Sequence, residues 1–290
     1  METSELLKKV RKVEIKTRGL SAQIFSGEYH SAFKGRGMAF SDVREYMPGD
    51  DIRSIDWNVT ARFGSPFVKV FEEERELTVI LLVDLSGSGD FGTRERFKRD
   101  LVVELCAVLA FSAIQNNDKI GVLLFTDKVE KFIPPKKGKS HILRIIRELI
   151  EFEPESTGTD IATALRYLTN AVKRRSICFL ISDFQDQGYD DALKLAAKRH
   201  DLVALRISDP GEGTLPDMGL VRFEDPEDGS IRLIDTSNPE TRRDFERRNE
   251  IADRAFKELL AAAGVDSTRL QTNRPYIRPL MQLFKQRGKK

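Results

Sequence analysis

The sequence has little of what disulfide-stapled and zinc-binding proteins need. Among 290 residues there are two cysteines, three histidines and one tryptophan. Cys106 and Cys178 make no disulfide framework, which fits a reducing compartment, and each lies in an apolar run where a thiol behaves as a small buried hydrophobe. His30, His141 and His200 are too far apart for the spacing of a metal site.

Long apolar runs and an excess of one charge are also missing. No apolar stretch reaches the roughly 18 residues that span a bilayer, and residues 1–18 lack the apolar segment of a signal peptide. We therefore expect a cytoplasmic protein without membrane insertion. Lysines and arginines number 48 against 46 acidic residues, a net charge of +2 that offers no general attraction to nucleic acid. The basic clusters at 136–139 and 285–290 are interpreted as a solvated loop and a tail, so no nucleic-acid partner is expected.

The sequence does contain buried-strand runs that alternate with helical patterns. Strands are predicted at Leu77–Val83, Ile120–Phe125, Ile177–Ile181 and Leu202–Ile207, and helices at Leu101–Ile114, His141–Phe152, Asp160–Val172 and Asp190–Arg199. Ser140 is the predicted cap of the second helix. Val129–Ile133 is predicted to return as an antiparallel edge strand that Pro134 and Pro135 end. This order predicts an α/β fold with a doubly wound, mostly parallel sheet and one antiparallel edge strand.

The flanks of this core differ from it in composition. Residues 1–76 are predicted to form an N-terminal segment that packs on the core. Residues 77–290 form the main domain, with its core at 77–208 and an extension at 209–290. The extension is predicted to hold a hairpin within Val221–Asp235, a long helix from Asn238–Pro239 to Ala263–Gly264, a strand at Ser267–Gln271 and a helix at Tyr276–Gln286.

Oxygen-bearing side chains follow the predicted strands where each strand ends. Asp84, Ser86 and Ser88 come directly after the first strand, and Asp183 comes after a later one. Thr159 precedes a helix that begins at the same edge of the sheet. Ligands of open α/β sheets bind outside the carboxyl ends of the strands, and Mg²⁺ prefers oxygen ligands. The sequence therefore predicts a divalent-cation site at this edge.

This pattern resembles the metal-ion-dependent adhesion site of von Willebrand factor A (vWA) domains. The matching segments are Asp84-x-Ser86-x-Ser88, then Thr159 in Gly158-Thr159-Asp160, then Ile181-Ser182-Asp183. The resemblance implies a vWA-like fold and an Mg²⁺ or Mn²⁺ ion. It implies that both serines and the threonine bind the ion directly, that both aspartates act through water, and that an open coordination position takes an acidic side chain of a partner.

A second resemblance concerns the segment Gly35–Trp57, which includes Tyr46-Met47-Pro48-Gly49-Asp50-Asp51-Ile52-Arg53. It is similar to the signature of the bacterial domain-of-unknown-function family 58, and the match continues through Phe71–Arg75. The resemblance implies a MoxR-type AAA+ ATPase as a partner, because genes of the family commonly neighbour genes of such ATPases. From the residues alone, the arginines and aspartates of the segment are interpreted as structural ion pairs, and Trp57 as a packing anchor.

Three functions remain open from the sequence. The first is a non-catalytic, metal-dependent protein-binding module, an adaptor or chaperone-like partner of the ATPase that binds an acidic group of a client protein. The second is a metal-dependent phosphohydrolase, which would need a second aspartate where Ser86 stands and a positioned lysine. The third is a scaffold with a vestigial metal site. No Ser-His-Asp or Cys-His set is apparent, so we expect no enzyme activity.

Overall fold

The computed structural model describes residues 10–14, 16–17, 39–72, 76–90, 97–224, 227 and 229–289. The described residues form two compact units. One lies within residues 34–77, and the other consists of the described residues of 1–33 and 78–290. No helix within the described ranges is long and apolar enough to cross a membrane.

The smaller unit is a two-stranded antiparallel sheet with a short helix. Its elements are β1 (Ala39–Glu45), α1 (Trp57–Phe63) and β2 (Phe67–Glu72). The carboxylate of Asp56 caps α1 by accepting bonds from the backbone N–H groups of Asn58 and Val59. The guanidinium of Arg44 donates two bonds, of 2.8 and 2.7 Å, to the carboxylate of Asp50, which is an ion pair within this unit. Trp57 is 67% exposed, so the expectation that it is a packing anchor is wrong.

The larger unit is built on a six-stranded mixed sheet. Its strands are β3 (Thr78–Asp84), β4 (Lys119–Phe125), β5 (Val129–Lys136), β6 (Ile177–Ser182), β7 (Asp201–Ser208) and β10 (Asp266–Gln271). Strands β8 (Leu220–Glu224) and β9 (Ile231–Asp235) form a separate hairpin. The order across the sheet is β10-β7-β6-β3-β4-β5, and all neighbours are parallel except β4 and β5. The predicted α/β fold with one antiparallel edge strand is confirmed.

Helices cover both faces of this sheet. They are α2 (Lys98–Gln115), α3 (Lys139–Glu151), α4 (Ile161–Ala171), α5 (Asp190–Arg199), α6 (Pro239–Ala263) and α7 (Ile277–Arg287). Helices α4, α5 and α6 pack on the face that includes Leu82 and Leu180. Side chains alternate along a strand, so Phe179 faces the other side, where it meets Phe284 of α7. Helix α2 is buried on nearly all sides, as its uniformly apolar sequence predicts.

Two local expectations are wrong. The helix α3 begins at Lys139 with Gly138 as its cap at φ 103°, so Ser140 is not the capping residue. Strand β5 does not end at Pro134–Pro135 but continues through Lys136, because it is an edge strand, where a proline without N–H is tolerated. The backbone comes so close here that a Cβ on Gly121 would lie 2.8 Å from the carbonyl oxygen of Ile133.

The sheet also includes sequence beyond residue 208. Strand β10 pairs in parallel with β7 as an edge strand, and Phe284 and Leu280 of α7 are fully buried. The predicted hairpin, long helix, last strand and last helix of the extension all form. The N-terminal helical residues are attached to the larger unit through ion pairs of Glu14 with Lys139 and of Lys16 with Glu104. The division of the chain at residue 76, and the packing of residues 1–76 on the core, stay predictions.

Candidate metal centre

The topology creates a crevice at the carboxyl ends of β3 and β6. From β3 the chain crosses to β4 on one side, while β6 and β7 extend the sheet on the other. The strand order therefore reverses between β3 and β6. In open α/β sheets, ligands bind at such a switch point because the loops diverge there and leave a crevice.

The end of β3 places Asp84, Ser86 and Ser88 in one tight turn. The Oδ1 atom of Asp84 accepts a 3.0 Å bond from the backbone N–H of Ser86, and a short 3-10 helix begins at Gly87. This turn brings the two serine hydroxyls together, with 3.1 Å between their Oγ atoms. Ser86 is only 4% exposed. Ser86 and Ser88, which are two residues apart in the sequence, thus place their hydroxyl groups side by side.

The end of β6 meets Asp84 through Ser182, to which the sequence alone assigns no role. The hydroxyl of Ser182 donates a 2.6 Å bond to Oδ2 of Asp84 and accepts a 2.9 Å bond from the backbone N–H of Phe184. Burial, with a smaller contribution from the nearby charge of Asp183, raises the pKa of Asp84 to about 6, although the hydrogen bonds from Ser182 and Ser86 act in the opposite direction. A cation beside this carboxylate would therefore relieve an electrostatic cost.

Asp183 forms a buried ion pair that the sequence did not suggest. The ammonium group of Lys98 donates a 2.8 Å bond to Oδ2 of Asp183, and both side chains are almost completely buried. Lys98 also pairs with Glu212. Burial would lower the pKa of Lys98, but the two carboxylates raise it above its ordinary value. The Asp183 carboxylate is thus partly neutralised by the protein itself.

Thr159 lies in the loop before α4, which is joined to the serine turn by a backbone bond. The N–H of Gly87 donates to the carbonyl of Thr157 at 2.8 Å. Thr159 makes no hydrogen bond to Asp84 or to either serine. Its hydroxyl instead donates a 2.8 Å bond to the carboxylate of Glu227, in the connection between β8 and β9. The sequence does not indicate this contact, because nothing in the local pattern relates Glu227 to a threonine 68 residues away.

The oxygen atoms at this crevice suit a small hard cation. Where Mg²⁺ is bound octahedrally at about 2.1 Å, neighbouring ligand oxygens lie about 3 Å apart, which is close to the separation of the two serine hydroxyls. A cavity of about 80 Å³ adjoins Asp84 and Ser86, and its lining also includes Arg99 but not Ser88, Thr159 or Asp183. The described residues contain no group of three or more His, Cys, Asp or Glu side chains placed for a metal, so hydroxyl oxygens would have to supply part of the coordination.

The described thiols and imidazoles lie elsewhere. Cys106 and Cys178 are fully buried, and burial raises the pKa of both thiols. The Nε2 atom of His141 lies 2.9 Å from the carbonyl oxygen of Ile120, and His200 is buried at the end of α5. His30 lies outside the described residues. Among the described residues, the crevice therefore presents hydroxyls, carboxylates and a buried lysine.

Comparison with known proteins gives a family and several distant structural similarities. The uncharacterized protein Rv1480 of Mycobacterium tuberculosis is 29% identical over 99% of this chain and 91% of its own length. The conserved hypothetical protein BatB from Bacteroides thetaiotaomicron is 18% identical, covers 74% of this chain and 100% of its own, and has a TM-score of 0.48. The SpRpn10 VWA domain is 11% identical, covers 73% of this chain and 94% of its own, and has a TM-score of 0.42. The family described as protein of unknown function DUF58 matches residues 42–255, and the chain belongs to that family.

Proposed function

We propose that this protein is a non-catalytic, metal-dependent protein-binding module. A divalent cation, Mg²⁺ or Mn²⁺, would be held at the carboxyl ends of β3 and β6. The proposed set is Asp84, Ser86, Ser88, Thr159 and Asp183. The hydroxyl oxygens would contact the ion directly and the carboxylates would act through water, leaving a position for an acidic side chain of a client.

The observation that carries the proposal is the serine pair at the switch point. Two hydroxyls at the separation of neighbouring octahedral ligands lie beside the carboxylate of Asp84, whose pKa burial raises. This combination favours a hard cation, because a cation would stabilise the charged form of the carboxylate and accept the serine lone pairs. The ion pair of Asp183 with Lys98 supports an indirect role for Asp183, since one of its oxygens is already bound to an ammonium group.

The partner is proposed from the family resemblance. We infer that a MoxR-type AAA+ ATPase works with this protein, which would act as an adaptor or chaperone-like factor that presents a client. A cytoplasmic location is part of the same proposal. The test is co-sedimentation of this protein with a purified MoxR-type ATPase of the source organism, with Mg²⁺ and with a chelator. Binding that persists unchanged in the chelator would contradict a metal-dependent contact.

The metal itself is tested by calorimetric titration of Mg²⁺ and Mn²⁺ into chelator-treated protein. We expect one ion per chain for the native protein and loss of binding for Ser86→Ala and Thr159→Ala. Two matched controls remove a serine and a threonine hydroxyl away from the metal centre. They are Ser140→Ala in the first turn of α3 and Thr241→Ala in the first turn of α6. They should bind the ion like the native protein. A native protein that binds neither ion at millimolar concentration would favour the scaffold with a vestigial site.

A metal-dependent phosphohydrolase is the second candidate, and Lys98 is the observation that favours it. Such an enzyme needs a positioned lysine, and Lys98 is fixed beside Asp183 at the end of β6. The position two residues after Asp84 nevertheless holds Ser86 rather than a second carboxylate. Turnover of p-nitrophenyl phosphate with Mg²⁺ that disappears in Asp84→Asn would establish the enzyme and overturn the binding-module proposal.

A further inference from the structure

Glu227 is held against the candidate metal centre at two points. Its carboxylate Oε1 accepts a 2.8 Å bond from the hydroxyl of Thr159, and its backbone carbonyl accepts a 2.7 Å bond from the hydroxyl of Thr157. Both threonines lie in the loop whose backbone is bonded to Gly87 of the serine turn. The side chain and the main chain of Glu227 are therefore both positioned by the same loop that carries a proposed ligand.

The separation of the two oxygens, which is that of an ordinary hydrogen bond, is also compatible with two neighbouring metal ligands. Oxygens that share an edge of an Mg²⁺ octahedron lie about 3 Å apart, and the Thr159 and Glu227 oxygens lie 2.8 Å apart. An ion bound by the Thr159 hydroxyl would thus have a carboxylate oxygen of the protein within reach. This is the chemical group that the proposed function assigns to a client.

We propose that Glu227 is an internal acidic ligand that occupies the open position of the metal centre, so that a client must displace it. The inference rests on the proposed function and adds a means of control to it. With Glu227 in place the ion is bound tightly and the position is closed. With Glu227 withdrawn, the same ion has a position for an external carboxylate.

The two strands on either side of Glu227 are weakly attached to the rest of the unit. Neither β8 nor β9 contains a buried residue, and the hairpin forms its own two-stranded sheet. Leu220 and Leu233 are 69% and 68% exposed. Displacing such an element removes little apolar surface from contact with protein, so its local opening costs less free energy than opening any strand of the main sheet.

The test uses Mn²⁺ as the metal probe and sodium acetate as the carboxylate probe. The full chain is compared with Glu227→Gln, Glu227→Ala and Thr159→Ala, and with Glu224→Gln as a control for an exposed glutamate of the same hairpin. Calorimetry measures the affinity for Mn²⁺. Water-proton relaxation measures how many exchangeable waters the bound Mn²⁺ carries. Circular dichroism verifies that each variant is folded, and Glu227→Gln, which keeps the shape of the side chain, guards against a folding defect in Glu227→Ala.

If Glu227 is the internal ligand, both Glu227 variants bind Mn²⁺ at least about tenfold more weakly. They also carry about one additional exchangeable water on the ion, and acetate removes that water in Glu227→Ala but changes nothing in the native protein. The Glu224→Gln control should match the native protein in both measurements.

Two results would overturn the inference, and they differ in what they mean for the proposed function. If the Glu227 variants match the native protein in affinity and in water number while Thr159→Ala loses the ion, the metal centre stands and Glu227 is not its ligand. If the native protein and all variants bind no Mn²⁺, the metal centre and its internal ligand are both wrong.

Discussion

The hydroxyl of Ser182 donates a 2.6 Å hydrogen bond to Oδ2 of Asp84, joining the carboxyl ends of two neighbouring parallel strands. The bond fixes the carboxylate of Asp84 while its other oxygen accepts the N–H of Ser86. Both oxygens of this carboxylate are therefore oriented by the protein itself. Such preorganisation is what a metal centre at a strand end requires.

Replacing Ser182 should reduce both stability and metal affinity. In Ser182→Ala the carboxylate of Asp84 and the N–H of Phe184 each lose a partner in a buried site, at a cost of about 1–3 kcal/mol in the free energy of unfolding. Urea denaturation measures this loss. The control is Ser208→Ala at the end of β7, whose buried hydroxyl has no hydrogen-bond partner among the described residues. Equal losses in the two variants would show that the two hydrogen bonds of the Ser182 hydroxyl contribute nothing to stability.

The ion pair of Lys98 and Asp183 predicts strong coupling between these two residues. Lys98→Met would leave buried Asp183 without its cation, beside Glu212, at a cost of about 3–5 kcal/mol in the free energy of unfolding. The double variant Lys98→Met/Asp183→Asn should be more stable than Lys98→Met, because the unpaired charge is gone. A double-mutant cycle by urea denaturation measures the coupling. A double variant that loses the sum of the two single losses would contradict the prediction.

The close approach at Gly121 predicts intolerance of any side chain there. A Cβ would lie 2.8 Å from the carbonyl oxygen of Ile133 and 2.9 Å from the backbone nitrogen of Pro135, and backbone atoms cannot rotate away. Gly121→Ala should therefore cost about 1–3 kcal/mol of overpacking in thermal or urea unfolding. Gly213→Ala is the matched control, since its Cβ would make only an ordinary 3.7 Å contact with the carbonyl oxygen of Pro210. A neutral Gly121→Ala would mean that β4 and β5 separate readily.

We expect the buried His200 to make the folded protein less stable in mild acid. Burial lowers its pKa, and the charges of Arg199 and Arg175 lower it further, so the folded protein resists a proton that the unfolded chain accepts. Stability should fall as the pH drops below about 6.5, by at most about 1.4 kcal/mol for each pH unit until the folded-state pKa is reached. Neither ring nitrogen has a hydrogen-bond partner among the described residues, so His200→Leu breaks no such bond.

The measurement for His200 is the free energy of unfolding between pH 7.5 and 5. The variant His200→Leu should lose less stability across this range than the native protein. The pKa of His141 is also lowered and that of Asp84 is raised, but both groups are present in both proteins and cancel in the difference. Parallel pH profiles for the two proteins would contradict the assignment to His200.

The sequence was most informative where burial is continuous. Runs such as Leu77–Val83 are apolar at every position because the strand is covered on both faces, and this identified the central strands without any contact information. The two ends of helix α6, at Asn238 and Gly264, could also be predicted, because a capping residue acts within its own turn of the helix. The prediction that β5 ends at Pro134–Pro135 was wrong, because whether a strand tolerates proline depends on its place in the sheet.

By itself, the sequence determined the α/β fold, with its antiparallel edge strand, and the residue types available at the strand ends. The fold can be predicted because the periodicity of apolar residues is local. The residue types at the strand ends can be read directly because they stand next to the predicted strands. Only the tertiary structure decided that Lys98 neutralises Asp183, that Ser182 orients Asp84 and that Glu227 contacts Thr159. Each of these contacts joins residues at least 68 positions apart, and a charge or hydrogen bond across such a separation leaves no periodic signal in the chain.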